Sequence, residues 1–554
     1  MKKAAASQSQ RSGPQWPAQT SHTIPWLDAC GTGVLCGLAL LLSTGVAAAY
    51  PYGMLRPAGQ LFAGPADGHV SAIHFNPAAL RLGSGSHILA VAGAHGFLGS
   101  YGRDTPLPAG FSPSQNAQGA ADPVAIGWAV SDMMVAASWD LRTEAVTLGF
   151  GVYTPYNDQT QYVPRSDIDD SRSSMTLQRL STRYHALVDR TYSLWGTVAA
   201  GLRLRRGLFF GGGFQFAYTR SQMTLMRDLG DSSQPRGSDG LPCASGACEQ
   251  WAQRQLIDLD VNGWGYGFNL GLLSEVVDNH LWLGASYTSP LLTSIGSDVP
   301  LEGRPTRPVW VGPDLDAAQP CGDGSRGARI SDRDQPLRCG SARILRSFPH
   351  LIYLGARGRF EPSSSPADSQ DPSAQPDLSG RLRPLAVELS SWVRLAIPTR
   401  EDLRLIIENS AFPPGELPIP LGLRTAFAVS FGVREHWNRL SLAQELIYES
   451  PRSDPAATSP LSLEGHKLDL SLAARIHLHR RVSLQFTVGS TFVFFEPGSG
   501  SGFSNDWALA CRSVAFDVNT EACQRVQAGW ALPSATGSYL LIRPHGVAGL
   551  ELNL

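Results

Sequence analysis

Apolar and polar residues alternate with a period of two along much of this chain. Between Gly263 and Leu272, Trp264, Tyr266, Phe268, Leu270 and Leu272 alternate with Gly263, Gly265, Gly267, Asn269 and Gly271. Successive side chains of a β-strand point to opposite faces, so this strand has one greasy, aromatic face and one small, polar face. Val198, Ala200, Leu202 and Leu204 stand in the same way against Thr197, Ala199, Gly201, Arg203 and Arg205. Leu468, Leu470, Leu472, Ala474 and Ile476 stand against Lys467, Asp469, Ser471, Ala473 and Arg475. Charges fall on one face only. Such strands suit the wall of a membrane barrel, with lipid outside and a lumen inside. A soluble β-sandwich also alternates, but its apolar face is the buried one and its connections are short and even.

The connections here are uneven. Short polar turns are read at Arg205-Arg206-Gly207, Asp278-Asn279-His280, Glu435 to Asn438 and His479-Arg480-Arg481. Between them lie long loops at Thr154 to Arg190, Ser221 to Gln255, Pro290 to Arg346 and Pro497 to Ser534. Alternation of short and long connections is the signature of an outer-membrane barrel with short periplasmic turns and longer extracellular loops. The strands between them number about fourteen, an even count of the kind bacterial barrels show. The expected fold class is therefore all-β, a transmembrane antiparallel β-barrel.

Two stretches strain the scheme. Residues 361–380 are rich in Pro, Ser and Asp where a short turn is expected, and are read as a flexible insertion. In Pro123 to Leu141 the apolar positions Val124, Ile126, Trp128 and Val130 give way to Met133, Val135, Ala137, Trp139 and Leu141, a shift of one at Ser131-Asp132. A β-bulge or a tight hairpin produces such a shift, and the bulge preserves the even strand count. A bulge interrupts the ladder, which makes Ser131 and Asp132 a candidate lateral opening.

Composition changes the picture in three places. The 554 residues carry a formal net charge of -2, with 17% charged, 43% hydrophobic and 57 Gly, so nothing suggests a nucleic-acid partner. Lys2, Lys3 and Arg11 precede an apolar run from Val34 to Val46 that ends in Ala47-Ala48-Ala49, as in a secretory signal over residues 1–49. The alternative, a membrane anchor, needs about 20 apolar residues. Of the eight cysteines, Cys30 and Cys36 leave with the signal. The other six form three local pairs in polar loops: Cys243 with Cys248, Cys321 with Cys339, and Cys511 with Cys523. An even count in an exported chain reads as disulfides, without fixing connectivity. The spacings do not match a zinc site.

Ahead of the first strand, residues 50–86 contain Gly59-Gln60-Leu61-Phe62-Ala63-Gly64 and Phe75-Asn76-Pro77-Ala78-Ala79-Leu80. This segment resembles the N-terminal hatch of the FadL-type outer-membrane long-chain fatty-acid transporters. Further similarity lies in Gly149 to Tyr156, in the Gly-rich run from Gly265 to Gly271, and in Leu283 to Pro290, in the same order along the chain. The resemblance implies a fourteen-stranded barrel over residues 87–554, plugged by a hatch in which Phe62, Asn76, Pro77 and Ala78 take part. It implies uptake of a hydrophobic substrate from outside and its release sideways into the bilayer, and the lack of any nucleotide motif or other energy-coupling device makes the expected flow passive; the expected partners are that substrate, outer-membrane lipid and the barrel assembly machinery. The loop cysteines, the insertion and a final strand ending in Leu550, Leu552 and Leu554 depart from the family.

On this register Trp195, Phe209, Trp282 and Trp392 face the lumen and are candidates for a substrate path, offering contact to an acyl chain or ring. Interfacial girdles or packing against the plug would account for the same residues. The chain lacks a Gly-x-Ser-x-Gly turn, a His-Glu-x-x-His helix and a phosphate loop, so no catalytic residue, cofactor or metal is expected. His477 and His479 share a strand face but border the Arg480-Arg481 turn and read as solvated. A general-diffusion porin and, less favoured, an outer-membrane lipase are the rival functions.

Overall fold

The computed structural model describes residues 64–83, 85–103, 124–143, 145–162, 182, 186–228, 254–291, 299–303, 341–346, 348–361, 386–401, 403–408, 415–419, 421–437, 439–461, 463–495 and 537–554. The signal segment, Phe62, residues 362–380 of the insertion and all six loop cysteines lie outside them.

The first seven strands follow one another round a wall: β1 (Ser86–Arg103), β2 (Val124–Trp139), β3 (Val146–Gln161), β4 (Val188–Arg205), β5 (Leu208–Asp228), β6 (Arg254–Val277) and β7 (Leu281–Thr288). Two short strands, β8 (Val299–Gly303) and β9 (Ser341–Arg346), precede β10 (His350–Phe360) and β11 (Ala386–Ile397). Two more, β12 (Leu403–Glu408) and β13 (Gly415–Ile419), precede the last five: β14 (Ala426–His436), β15 (Leu440–Glu449), β16 (His466–His479), β17 (Val482–Phe494) and β18 (Gly537–Asn553). β7 pairs with β10, β11 with β14, and β18 with β1, so fourteen antiparallel strands close the barrel. β8, β9, β12 and β13 form a side sheet that joins β6 at Asn262 and Glu302.

Closure gives each wall strand a neighbour on both sides, and the apolar face is turned outward. Trp264, Tyr266, Phe268, Leu270 and Leu272 of β6 are exposed, while Gly265, Gly267, Asn269 and Gly271 are buried inside. β16 behaves alike, with Leu470, Leu472 and Ile476 outside and Lys467, Asp469, Ser471 and Ala473 inside. A large exposed apolar face on a closed barrel is the surface of a membrane-spanning wall, because in water it would be a standing aggregation site. No helix among the described residues is long and apolar enough to cross a membrane.

The short turns fall at one end. Gly207 and Asn279 take positive φ there, as tight reversals require. Phe360 of β10 and Val387 of β11 also pair at this end. At the other end the strands run further than the alternation suggests. β3 reaches Gln161, β5 runs to Asp228 and β6 starts at Arg254, so the loops expected at Thr154 to Arg190 and Ser221 to Gln255 are shorter. Pro290 to Arg346, expected as a loop, contains β8 and β9. Antiparallel pairing needs only backbone groups, so a ladder continues where side-chain alternation fades.

The expected bulge in β2 is not there. β1 and β2 pair without a shift from Ser86 and Trp139 to Tyr101 and Val124. Ile126, Val130, Asp132, Met134, Ala136 and Ser138 all point inward, while Ser131, Met133, Val135 and Trp139 are exposed. The apolar positions change face because the lumen itself is apolar beside the first half of β2. Alternation marks which residues share a face, not whether that face meets lipid or lumen.

Candidate functional site

Inside the barrel lies the segment 64–83, with α1 (Ala72–Phe75) followed by a 3-10 helix (Pro77–Leu82). Asn76 joins them in an extended conformation, as a residue before proline prefers, and Pro77 opens the second helix. The Asn76 amide donates to the carbonyls of Pro65 (2.6 Å) and Leu272 (3.0 Å), and its oxygen accepts from the Ala78 N–H (3.1 Å). Asn269 donates to the Ile73 carbonyl (2.7 Å) and Ser286 to that of Phe75. The wall can come this close because it is made of glycine. A Cβ at Gly271 would sit 1.8 Å from Asn76 Oδ1, and one at Gly211 2.2 Å from the Ala78 nitrogen. Gly284 and Gly201 similarly leave room for the backbones of Pro65 and Pro77.

Charge completes the fastening. Asp67 accepts a bidentate pair from Arg434 (2.7 and 3.0 Å), with Arg357 3.7 Å away and Glu388 3.5 Å from Arg434. Burial pushes the Asp67 carboxyl up, but the Arg434 and Arg357 guanidinium groups outweigh it and leave it below the usual range. Burial holds His69 down to about 4, with Glu551 opposing and Arg475 adding to the effect. His74, edge-on between the rings of Phe75 and Tyr153, is held by burial at about 3. Both imidazoles are therefore neutral at pH 7.

On the long-loop side of this segment the lumen is aromatic. Trp195 packs against Tyr156 (ring centroids 5.3 Å), Tyr153 (6.4 Å) and Phe348 (6.4 Å), and Tyr353 lies against Phe75 (5.8 Å) and Trp392 (6.0 Å). The Trp195 indole N–H is satisfied by Ser193 Oγ at 2.8 Å. Beside the aromatics is a buried charge cluster. Glu449 meets Arg394 (2.9 Å), Lys467 (3.2 Å) and Arg452, while Lys467 also reaches Glu464 (2.6 Å). Arg452 and Glu464 come from the β15–β16 connection, which folds inward: Tyr162 donates to the Pro460 carbonyl, and Leu461 and Leu463 are buried.

The ladder fails between β2 and β3. Their pairing runs from Trp139 and Leu148 only as far as Met134 and Tyr153, and β3 shifts register against β4 between Tyr153 and Tyr156. Pro155 lies in that interval and has no N–H to give. Side chains bridge the break instead. The Met133 N–H donates to Thr154 Oγ1 (3.0 Å) and Asn157 donates to the Ser131 carbonyl. Ser131 and Asp132 lie opposite the break; Ser131 is exposed, and Asp132 points inward to His95 at 2.9 Å.

The four candidate path residues all face inward and are buried, at different levels. Trp195 lies in the aromatic cluster, and Trp392 touches both that cluster and the inner segment at Gly64. Phe209 and Trp282 lie near the short-turn end, where Arg357 stacks over Trp282 at 4.2 Å. His477 bonds Ser483 through Nδ1 (2.8 Å) and His479 is exposed. Sequence reasoning missed Tyr153, Tyr156, Phe348 and Tyr353, and missed the charge cluster. Alternation puts Tyr153 and Tyr353 on the inner face, but Tyr156 turns inward only through the register shift and Phe348 precedes β10, and nothing in alternation brings distant strands to one level. Ser471, His545 and Asp469 also meet. Ser471 donates to Asp469 (2.7 Å) and lies 2.9 Å from His545 Nε2, while Thr491 donates to the same carboxylate (2.7 Å). The His545 Nδ1 is 3.7 Å from Asp469, so the carboxylate holds the hydroxyls and does not set the imidazole as a nucleophile triad needs. No group of three or more His, Cys, Asp or Glu among the described residues is placed to hold a metal ion.

No protein-family model matches the sequence, and no curated protein does. Solved structures do. A FadL homologue of Pseudomonas aeruginosa superposes with a TM-score of 0.60 at 14% identity, over 92% of this chain and 99% of that one. The toluene transporter TodX of Pseudomonas putida gives 0.54 at 12% identity, over 92% and 100%. The monoaromatic hydrocarbon channel CymD gives 0.51 at 11% identity, over 90% and 97%. These likenesses show a common fold, the one the sequence resemblance implied.

Proposed function

We propose that this protein is an outer-membrane channel for passive uptake of hydrophobic small molecules that carry an acidic head, long-chain fatty acids or similar amphiphiles, with the inner segment as its hatch. The observation that carries this reading is the aromatic cluster around Trp195, bordered by the buried cluster at Glu449. Three cations, Arg394, Arg452 and Lys467, gather round the two carboxylates Glu449 and Glu464 in this group. Cations placed beside the rings suit a carboxylate head, while the rings take the tail at ~0.8 kcal/mol per buried methylene. Moderate affinity suits transport, because a deep well would retain the cargo. The neighbours described as toluene and monoaromatic hydrocarbon channels suggest neutral aromatics as the alternative cargo. The buried cations beside the rings favour the acid.

The interval between β2 and β3 supports a sideways exit. Two side chains, Thr154 and Asn157, close what backbone bonds close elsewhere, and side-chain bonds part without breaking a ladder. Labelled oleate and toluene should be compared for binding to the purified protein, with Trp195→Ala and Arg394→Gln. Both substitutions should weaken oleate about tenfold, and Arg394→Gln should leave toluene unchanged. Liposomes that swell in sugars while the protein retains no oleate would replace this reading with a general-diffusion porin.

A further inference from the structure

The lip of the parted ladder carries a titratable pair. Asp132 stands on β2 two residues before Met134, the last to pair with β3, and its side chain turns into the lumen. His95 of β1 meets it, Nδ1 to Oδ2 at 2.9 Å, with 5% of the imidazole and 1% of the carboxylate side chain exposed. The other carboxylate oxygen, Oδ1, is buried without a hydrogen-bond partner among the described residues. An acceptor left so is a standing cost that an O–H donor would relieve. Its neighbours on the same face of β2 are apolar, Val130 and Met134. On the β3 side stand Thr154 and the rings of Tyr153 and Tyr156, and on the β18 side Arg543, whose charge bears on Asp132.

Opposite His95 in the pairing of β1 with β18 is His545. From there a polar row runs to β16. Ser471 lies 2.9 Å from His545 Nε2 and donates to Asp469, which also accepts from Thr491. Gly489 makes room for the row, since a Cβ there would sit 2.5 Å from both His545 Nε2 and Ser471 Oγ. Beside Asp469 on the inner face of β16 is Lys467, a member of the cluster at Glu449. The row therefore links the cationic cluster to the pair at the gap. A head that follows it and then leaves sideways must shed its charge, because hydrocarbon resists a charged group. Imidazole is the side chain that exchanges protons near neutral pH.

We propose that His95 and Asp132 hand a proton to the acid at the sideways exit. The carboxylate head takes it from the His95 imidazolium: an N–H bond breaks and an O–H bond forms, with no oxidation or reduction. Asp132 Oδ1 accepts the new O–H, the neutral acid leaves through the gap between β2 and β3, and water returns a proton to the imidazole. One proton thus travels with each molecule. The hand-over rests on the channel reading above.

Cells that lack a fatty-acid transporter of their own and produce the full-length protein are given labelled oleate, oleyl alcohol or hexadecanesulfonate at about pH 7.5. The purified protein should bind oleate and the sulfonate, whereas cells should take up oleate and the alcohol at least about tenfold faster than the sulfonate, which keeps its charge. His95→Gln should lower the ratio of oleate to alcohol uptake about tenfold or more, and acidifying to about pH 5, where the head draws protons from water, should restore most of it. Asp132→Ala, which removes the acceptor, should slow the acid and the alcohol alike. Folding of each variant is checked by heat-modifiable mobility. Sulfonate taken up as fast as oleate, a result that needs no variant, would overturn the hand-over. So would an unchanged oleate-to-alcohol ratio in folded His95→Gln, and either result leaves the channel reading standing. Oleate neither bound nor taken up would overturn the channel reading, and the hand-over with it.

Discussion

Single residues in this barrel act through what they leave out as much as through what they supply. Gly271 is the clearest instance, since its missing side chain is the space into which Asn76 Oδ1 fits. Gly271→Ala should dislodge Asn76 and strand buried polar groups, loosening residues 64–83 by about 1–3 kcal/mol. Gly212→Ala, whose Cβ would meet Leu270 at an ordinary 3.5 Å, is the control. Hydrogen exchange of the inner segment should rise in the first variant and stay put in the second. Equal protection in both would mean that the close approach does not hold the segment. Gly271 stands in the sequence as one of several small residues on a polar face, and only the packing distinguishes it from its neighbours.

At the scale of the element, the inner segment couples docking to pH. His69 is held at about 4 when docked against 6.5 when released, so between those values the released form binds more protons. Docking stability is therefore intact above pH 6.5 and declines as pH falls towards 4, by up to ~3 kcal/mol for a shift of this size. His74, held at about 3, adds a loss in the same direction. Asp67 is depressed, so its pairing with Arg434 persists through this window and is lost only as pH falls through its lowered value. Exchange protection of residues 64–83 should fall between pH 7 and 4, and His69→Gln should flatten the profile. An unchanged slope in that variant would remove His69 from the account. β3 carries the other element-scale lesson. In the sequence Thr154-Pro155 stands at the start of a stretch read as a long loop, and the break at these residues lies one strand away from the irregularity expected at Ser131-Asp132.

For the whole molecule, inside and outside carry different tolerances. Leu472 faces outward from β16 and Ser471 inward, one residue apart. Leu472→Arg should cost about 2–4 kcal/mol of folding free energy in bilayers if it lies near the midplane, as charges on a lipid face do. Folding titrations into vesicles would measure it. A cost below about 0.5 kcal/mol, the usual range for surface substitutions, would mean that this face does not meet hydrocarbon.

The sequence by itself determined the barrel, its number of about fourteen wall strands, the two faces of most of them and the end at which short turns gather, but not β8 and β9 or the inward apolar half of β2. What it determined follows from local rules: side chains alternate along an extended chain, and a bilayer rewards an apolar outer face. Only the tertiary structure decided which inward residues meet. Asp67 and Arg434 are 367 positions apart, and Tyr162 reaches Pro460 across 298. Contacts of that separation depend on strand order, register and the level at which each strand crosses the lumen, none of which is written in alternation. The aromatic cluster, the charges at Glu449, the parted ladder and the pair of His95 and Asp132 all belong to this second kind, since a closed wall brings together what the chain keeps far apart.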